Sequence, residues 1–364
     1  MSKYTEKYIM KNGKVKIVIY TGFACREAEL AVNGKRIKDF FNICEPYDRK
    51  THVFYIEPDE LKEGQKLTFE CRGKLKFLKR RHAFEYRPVF ENAQKLFEEY
   101  DSGITVNSSE SEKVYDGVTY TAFECTDKKG APVKLFTLDV DMKAVSLYVG
   151  TPDDGYKSTE VKAKIPEMID SAVKNGVDAV AAVNADFFDM FGDCHPSGLC
   201  VKNGRVVANA DSPRPFIGVK TDGTAVITDL AESPDILGKL EQAAAGLQMI
   251  VKDGEVYQWD ELETFSFTRH PRTAAGVRKD GSVILLVADG RIPEYSNGAS
   301  LVDLAKIMIS LGADRAINMD GGGSSIVITK DKNGFNVRNA PADLVRPRAK
   351  LIRKEFNALL VVKK

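Results

Sequence analysis

Polar and apolar residues alternate along Lys14-Val15-Lys16-Ile17-Val18-Ile19-Tyr20, the period of a strand with one buried face. Residues 53–56 and 66–71 continue the pattern. Between the first and second of these runs lies Asn33-Gly34, a dipeptide that closes tight hairpins because both residues tolerate positive φ. Residues 1–85 therefore predict a small antiparallel β module, a packing or binding appendage without a catalytic constellation. A different period starts at Pro88. Val89, Phe90, Ala93, Leu96, Phe97 and Tyr100 recur at helical spacing, with proline in the tolerated first turn. The polar run at 107–113 then predicts the main boundary, so that 86–110 is a linker helix and 111–364 the main domain.

Strand and helix patterns mix beyond Val114. Residues 133–149 hold two alternating runs, and residues 165–174 predict a helix stopped by Asn175-Gly176. The stretch at 177–183 is apolar without a break, as is Val283-Ile284-Leu285-Leu286-Val287, the mark of strands buried on both faces. Ser300 suits an N-cap, with Asp303 three residues on, a stripe of Leu301, Leu304, Ile307, Met308 and Leu311, and Gly312 as the stop. These elements predict an α+β fold, a mixed-sheet catalytic domain with helices preceded by the small β domain.

Two places follow one plan. A helix, Gly176, Asp178 and an apolar strand lead to Asn184-Ala185-Asp186. A second helix, Gly312, Asp314 and an apolar strand lead to Asn318-Met319-Asp320. Residues two apart on a strand share a face, so each strand end presents one amide and one carboxylate together. A third apolar strand ends in Ala288-Asp289-Gly290-Arg291. Asp186, Asp289 and Asp320 are accordingly the candidate catalytic residues, since sites gather at the carboxyl ends of strands in sheets with helical crossovers.

After Asp320 come Gly321, Gly322, Gly323, Ser324 and Ser325. Three glycines open backbone angles closed to other residues, and successive amides in such a turn form an anion-binding nest. Arg214, Arg272 and Arg291 are candidate anion clamps, because the guanidinium fork matches phosphate oxygens. With Asn184 and Asn318 they complete a predicted substrate-binding set. Asp189 and Asp193 near Asp186 leave room for a structural divalent cation such as calcium, although the spacing is not that of an EF-hand, and His195, a candidate acid or base, reads better as a structural or surface residue.

Composition narrows the class. Lys and Arg number 53 against 52 Asp and Glu, a net charge of +1 that argues against a nucleic-acid partner. No apolar run reaches the length of a membrane span. The start, Met1 to Lys7, lacks a signal-type apolar stretch, so the expectation is a cytoplasmic protein unless a leader has been removed. Six cysteines without CxxC spacing fit free thiols, with a small Cys194–Cys200 disulfide as the alternative.

In this order, Asn184-Ala185-Asp186-Phe187-Phe188, Arg272-Thr273-Ala274, Asp289-Gly290-Arg291, Ser296 with Gly298, and 318–325 resemble the phosphodiester glycosidase family and its bacterial members. Arg338-Asn339-Ala340-Pro341 and Arg346-Pro347 fit as well. The resemblance covers roughly residues 110–364, and Ala185 stands where glycine is common in the family. It implies a hydrolase that cleaves the glycosyl C–O bond of a sugar-1-phosphodiester, N-acetylglucosamine among the candidate sugars, with no cofactor needed for the chemistry. Two other classes stay open at this point. One is a metal-dependent phosphodiesterase. The other is a non-catalytic binder of envelope polysaccharide.

Overall fold

The computed structural model describes residues 4–11, 14–21, 24–25, 27–38, 50–57, 60–62, 65–72, 79–85, 104–259, 264–345 and 352–364. The chain divides into two compact units, Met1–Glu99 with Trp259–Thr264, and Tyr100–Gln258 with Phe265–Lys364. The helix expected at 88–100 and the pair Arg346-Pro347 lie outside the described residues.

The first unit holds two antiparallel sheets. One pairs Tyr4–Lys11, Lys14–Thr21 and Thr51–Ile56; the other runs Lys35–Lys38, Glu27–Val32, Lys66–Arg72 and Lys79–Glu85. The alternation at 14–20 becomes burial of Ile17 and Ile19, which share a core with Leu30, Phe54, Leu67 and Phe69. Asn33 and Gly34 both take positive φ, 48° and 78°, as a tight hairpin requires.

The second unit is built on three sheets. An eight-stranded sheet runs Glu255–Val256, Gln248–Lys252, Ala313–Met319, Arg272–Arg278, Val283–Ala288, Pro132–Val140, Val118–Asp127 and Ile104–Tyr115. A five-stranded sheet runs Val145–Gly150, Ala358–Lys363, Ala179–Asn184, Val327–Asp331 and Gly334–Val337. Another carries Arg205–Ala208, Cys200–Lys202, Leu240–Ala245, Phe216–Lys220 and Ala225–Thr228. One core joins them, with Leu138, Leu285 and Ile317 from the first, Val183 and Val361 from the second, and Ile217 and Ile227 from the third. Two helices pack on the sheets outside this core. Ile165–Lys174 buries Ile165, Met168, Ile169 and Ala172, and Leu301–Ser310 buries Leu301, Leu304, Ala305 and Met308. Ser300 caps the second, accepting from the Asp303 amide at 3.1 Å while Asp303 accepts from the Ser300 amide at 3.0 Å.

The fold is thus β-rich, 51% strand against 12% helix, rather than the balanced mixture expected. Every strand pair among the described residues is antiparallel, so the expected mixed sheet is not found. The unbroken apolar strands misled here because a core between sheets on one face and a helix on the other bury both sides of a strand whatever its direction. The polar run at 107–113, near which the main boundary is expected, lies within a strand. It is the outer part of the edge strand Ile104–Tyr115, held by backbone pairing to Val118–Asp127. An edge strand with solvent on its faces carries no apolar alternation by which to recognise it.

Candidate active site

The two Asn-x-Asp segments come from different sheets, yet they meet. Ala179–Asn184 lies in the five-stranded sheet and Ala313–Met319 in the eight-stranded one. Asn184 is fully buried and stitches them: its Nδ2 donates to the Asp320 carbonyl at 2.6 Å, and its Oδ1 accepts from Thr273 Oγ1 at 2.7 Å and the Ile326 amide at 3.2 Å. The Asp320 amide donates back to the Ala185 carbonyl at 3.0 Å. These bonds tie the Asp320 backbone to the strand end that leads to Asp186, and the charge of Asp320 adds to the upward push of burial on the Asp186 carboxyl.

Their surroundings differ. Asp320 accepts at both oxygens, from the Gly321 amide at 2.8 Å and from Ser324 Oγ at 2.6 Å. Burial pushes its carboxyl up, opposed by these donors and by the Arg353 and Arg291 guanidinium groups. Asp186 accepts from Asn357 Nδ2 at Oδ2, 2.9 Å away, while its Oδ1 is buried and makes no hydrogen bond of normal geometry among the described residues. Burial holds Asp186 well above the carboxylate range, against weaker lowering by Asn357, the Ala245 backbone and Arg214. Two neighbouring carboxyls in unequal settings are the arrangement that separates a proton-holding group from a charged one.

The glycine turn serves these groups. Gly322 has φ 67°, and a Cβ there would stand 2.9 Å from Arg291 Nη1. A Cβ on Gly321 would meet the Pro271 carbonyl at 2.7 Å, and one on Gly323 would meet Arg353 Nη2 at 2.2 Å. The close approaches that need glycine are therefore to the protein's own groups. The Gly321 and Gly322 amides already donate, to Asp320 and to the Pro271 carbonyl, so the expected nest is largely occupied from within. Arg291, itself at φ 65°, lies against this turn. Its Nη2 contacts His270 Nδ1 at 3.3 Å. Burial, with Arg272 and Arg291 nearby, pushes His270 down to about 2, so the ring is neutral and Nδ1 accepts.

Other predicted residues are employed differently from expectation. Asp289 does not share the pair's polar centre. It accepts from Asn339 Nδ2 at 2.7 Å, the Ala340 amide at 2.8 Å and Tyr295 at 3.1 Å, and so fastens the 339–340 segment. Arg272 is buried and donates to the Ala299 and Thr268 carbonyls at 3.2 and 3.0 Å. Asn184 is consumed by its bonds between sheets. Asn318 Nδ2 reaches Gln248 Oε1 only at 3.4 Å, and Asn318 Oδ1 and Ser325 Oγ are buried without hydrogen-bond partners among the described residues. Arg214 is half-buried and acts on Asp186 through charge. Asp189 and Asp193 cap amides of their own loop, at Gly192 and His195, and His195 contacts Asn209. No group of three or more His, Cys, Asp or Glu among the described residues is placed to hold a metal ion. Cys194 and Cys200 are free thiols, not a disulfide.

The sequence reading missed Arg353, Glu355 and Asn357. Arg353 donates to Ser324 Oγ at 3.2 Å and pairs with Asp343 at 2.7 Å. Glu355 is 2% exposed with neither oxygen hydrogen-bonded among the described residues. Burial, with Asp320 beside it, pushes its carboxyl up to about 8. The signal was present as charged and amide residues at every second position before an apolar strand.

The family model described as phosphodiester glycosidase matches residues 177–358, inside the stretch that carries the motifs. N-acetylglucosamine-1-phosphodiester alpha-N-acetylglucosaminidase of Mus musculus is 31% identical over 164 residues, 40% of this chain and 31% of that protein. The SPbeta prophage-derived uncharacterized protein YomE of Bacillus subtilis (strain 168) is 27% identical over 258 residues, 65% of this chain and 37% of that protein. The chain thus spans well under two thirds of these relatives. Among solved structures, the zebrafish N-acetylglucosamine-1-phosphodiester alpha-N-acetylglucosaminidase catalytic domain, auto-inhibited by its pro-peptide, superposes with a TM-score of 0.55 at 20% identity, covering 72% of this chain and 88% of that one. A hypothetical protein from Synechocystis gives 0.52 at 13% identity, covering 99% of this chain and 76% of that one. At these identities the structural likeness speaks for the fold.

Proposed function

Because the chain belongs to the phosphodiester glycosidase family, we propose that it hydrolyses a sugar-1-phosphodiester at the glycosyl C–O bond, releasing free sugar and a phosphomonoester. The observation that carries this reading is the Asp186–Asp320 pair, two buried carboxyls both pushed up by burial, of which Asp320 has the more donors and guanidinium groups to offset it. Water attacks the anomeric carbon and gives its proton to Asp320, whose two hydrogen-bond donors and flanking guanidinium groups favour the charged form before attack. The bond from the anomeric carbon to the phosphate oxygen breaks, and its electron pair leaves with the phosphate. Asp186, kept protonated by burial and with Oδ1 outside its bond to Asn357, donates to that oxygen. Arg291 and Arg214 neutralise the departing charge, and Asn318 Oδ1 accepts from a sugar hydroxyl. A phosphate leaving group asks more for charge stabilisation than for acid catalysis, which suits a site flanked by arginine.

The step draws on no cofactor, so exhaustive chelation is expected to leave turnover unchanged. The deciding experiment is hydrolysis of UDP-N-acetylglucosamine and a panel of other sugar-1-phosphodiesters in oxygen-18 water, read by mass spectrometry. Label in the sugar supports C–O cleavage. Label in the phosphate refutes it in favour of a phosphodiesterase, and silence across the panel refutes catalysis in favour of a glycan-binding protein.

A further inference from the structure

Residues 353–357 alternate in character. Lys354 is exposed and Phe356 is buried in the core, while Arg353, Glu355 and Asn357 reach the carboxyl pair. Asn357 holds Asp186 twice. Its Oδ1 accepts the Asp186 amide at 2.9 Å, and its Nδ2 donates to Asp186 Oδ2 at 2.9 Å, with Cys200 Sγ at 3.6 Å as a second acceptor. One bond to the backbone and one to the carboxyl of the same residue fix the rotation of that side chain. Oδ1 is the oxygen they leave without a hydrogen bond among the described residues.

Arg353 does the corresponding service for Asp320 through Ser324. Its Nε and Nη2 are spent on Asp343, at 2.9 and 2.7 Å, and its Nη1 points to Ser324 Oγ at 3.2 Å. Arginine can only donate, so Ser324 Oγ must accept from it, and the one hydroxyl proton is directed to Asp320 Oδ2 at 2.6 Å. A hydroxyl with only Asp320 for company would be free to rotate.

The structure assigns Asn357 and Arg353 as positioning residues for the hydrolysis, Asn357 orienting Asp186 directly and Arg353 orienting Asp320 through Ser324. This rests on the reading that the two aspartates carry the reaction. The charged and titratable groups facing Asp186 are Arg214, Asp320 and Cys200; those facing Asp320 are Arg291, Arg353, Glu355 and Asp186. Among them Asn357 stabilises the ionised form of Asp186, so its loss moves the Asp186 titration to higher pH. That direction holds whether Asp186 works as an acid or as a base.

Asn357→Asp keeps an acceptor for the Asp186 amide and removes the donor to its carboxyl. Asn357→Ala removes both and adds no charge. Two readouts are taken: the Asp186 carbon-13 carboxyl titration in the substrate-free protein, and the pH profile of kcat on a sugar-1-phosphodiester. The expected result in Asn357→Ala is an Asp186 titration displaced upward by about one pH unit, the scale of one hydrogen bond to a charged group, and in Asn357→Asp a larger upward displacement, because the new carboxylate also repels that of Asp186. The corresponding limb of kcat moves the same way, and KM changes less than kcat. Arg353→Lys, which keeps the charge but not the fork, is expected to lower kcat about tenfold. An unmoved Asp186 titration in folded variants, or a loss of kcat equal at every pH, overturns the assignment. Loss of the fold in both Asn357 variants overturns it too, making the residue a structural one. Absence of turnover with every sugar phosphodiester, alongside a displaced titration, would refute the proposed function and leave the clamp standing.

Discussion

Glu355→Gln tests whether this site stores an uncompensated buried acid. Glu355 is 2% exposed, and neither oxygen has a hydrogen-bond partner among the described residues. Its carboxyl is raised from 4.5 to about 8, first by burial and then by the charge of Asp320. A proton is worth about 1.4 kcal/mol for each pH unit by which folding shifts its affinity. Ionising Glu355 inside the fold therefore costs about 5 kcal/mol, an upper figure that solvent penetration and local relaxation reduce. Because the folded affinity lies above the unfolded one, the native state binds the extra proton between pH 4.5 and about 8. Stability linked to Glu355 is thus complete below that window and is lost as pH rises through it. Glutamine has nearly the same shape and cannot ionise. Near pH 4 the two proteins should match within about 1 kcal/mol, a normal spread for a conservative exchange. By pH 9 the variant should be the more stable, by several kcal/mol and at most the figure above. Urea denaturation followed by circular dichroism at intervals across this range measures the difference, in which the other buried carboxyls largely cancel. Parallel stability curves would refute the reasoning, since they would mean that Glu355 is ionised and compensated in the native state.

Three further outcomes are expected. Asp186→Asn and Asp320→Asn should each lower kcat by about 10²–10⁴ while leaving circular dichroism unchanged, and activity within a few-fold of the parent in either would remove that residue from the chemistry. Asn184→Ala should cost about 3 kcal/mol in chemical denaturation, because it strands the Thr273 hydroxyl, the Ile326 amide and the Asp320 carbonyl in the interior; a loss under about 1 kcal/mol would show that the sheets are joined by other means. Gly323→Ala places a Cβ 2.2 Å from Arg353 Nη2 and 2.3 Å from the Asp343 carboxyl carbon, so that pair has to part. The expected consequence is a fall of about tenfold in kcat/KM, and unchanged kinetics would show that the Arg353–Asp343 pair is dispensable to Ser324 and Asp320.

Local physics made much of this chain legible before any coordinates. The helix at 165–174 appears with the predicted bounds, because an amphipathic stripe and an Asn-Gly stop act within a few residues of chain. The Asn33-Gly34 hairpin and the Ser300–Asp303 capping box are equally local. The repeated Asn-x-Asp at two strand ends singled out Asp186 and Asp320 as candidates, since short motifs of fixed spacing are read directly from the chain. The family motifs were legible for the same reason, as short runs with fixed spacing.

What lay beyond the sequence depends on partners far along the chain. Antiparallel pairing throughout the three sheets is decided by connections that apolar runs do not encode, and the exposed edge strand Ile104–Tyr115 is held by its neighbour's backbone rather than by its own pattern. The use of each polar residue was also invisible. Asn184, Asp289 and Arg272 carry the same functional groups as true ligand contacts, yet their bonds close on Asp320, Ala340 and Ala299. Asn357 stands 171 residues from Asp186 and meets it only because the C-terminal strand Ala358–Lys363 pairs with Ala179–Asn184. The sequence alone determined which groups exist and which face of a strand each occupies. Tertiary structure decided which of them are satisfied by the protein and which remain for a substrate, because hydrogen bonding between distant residues is settled by packing.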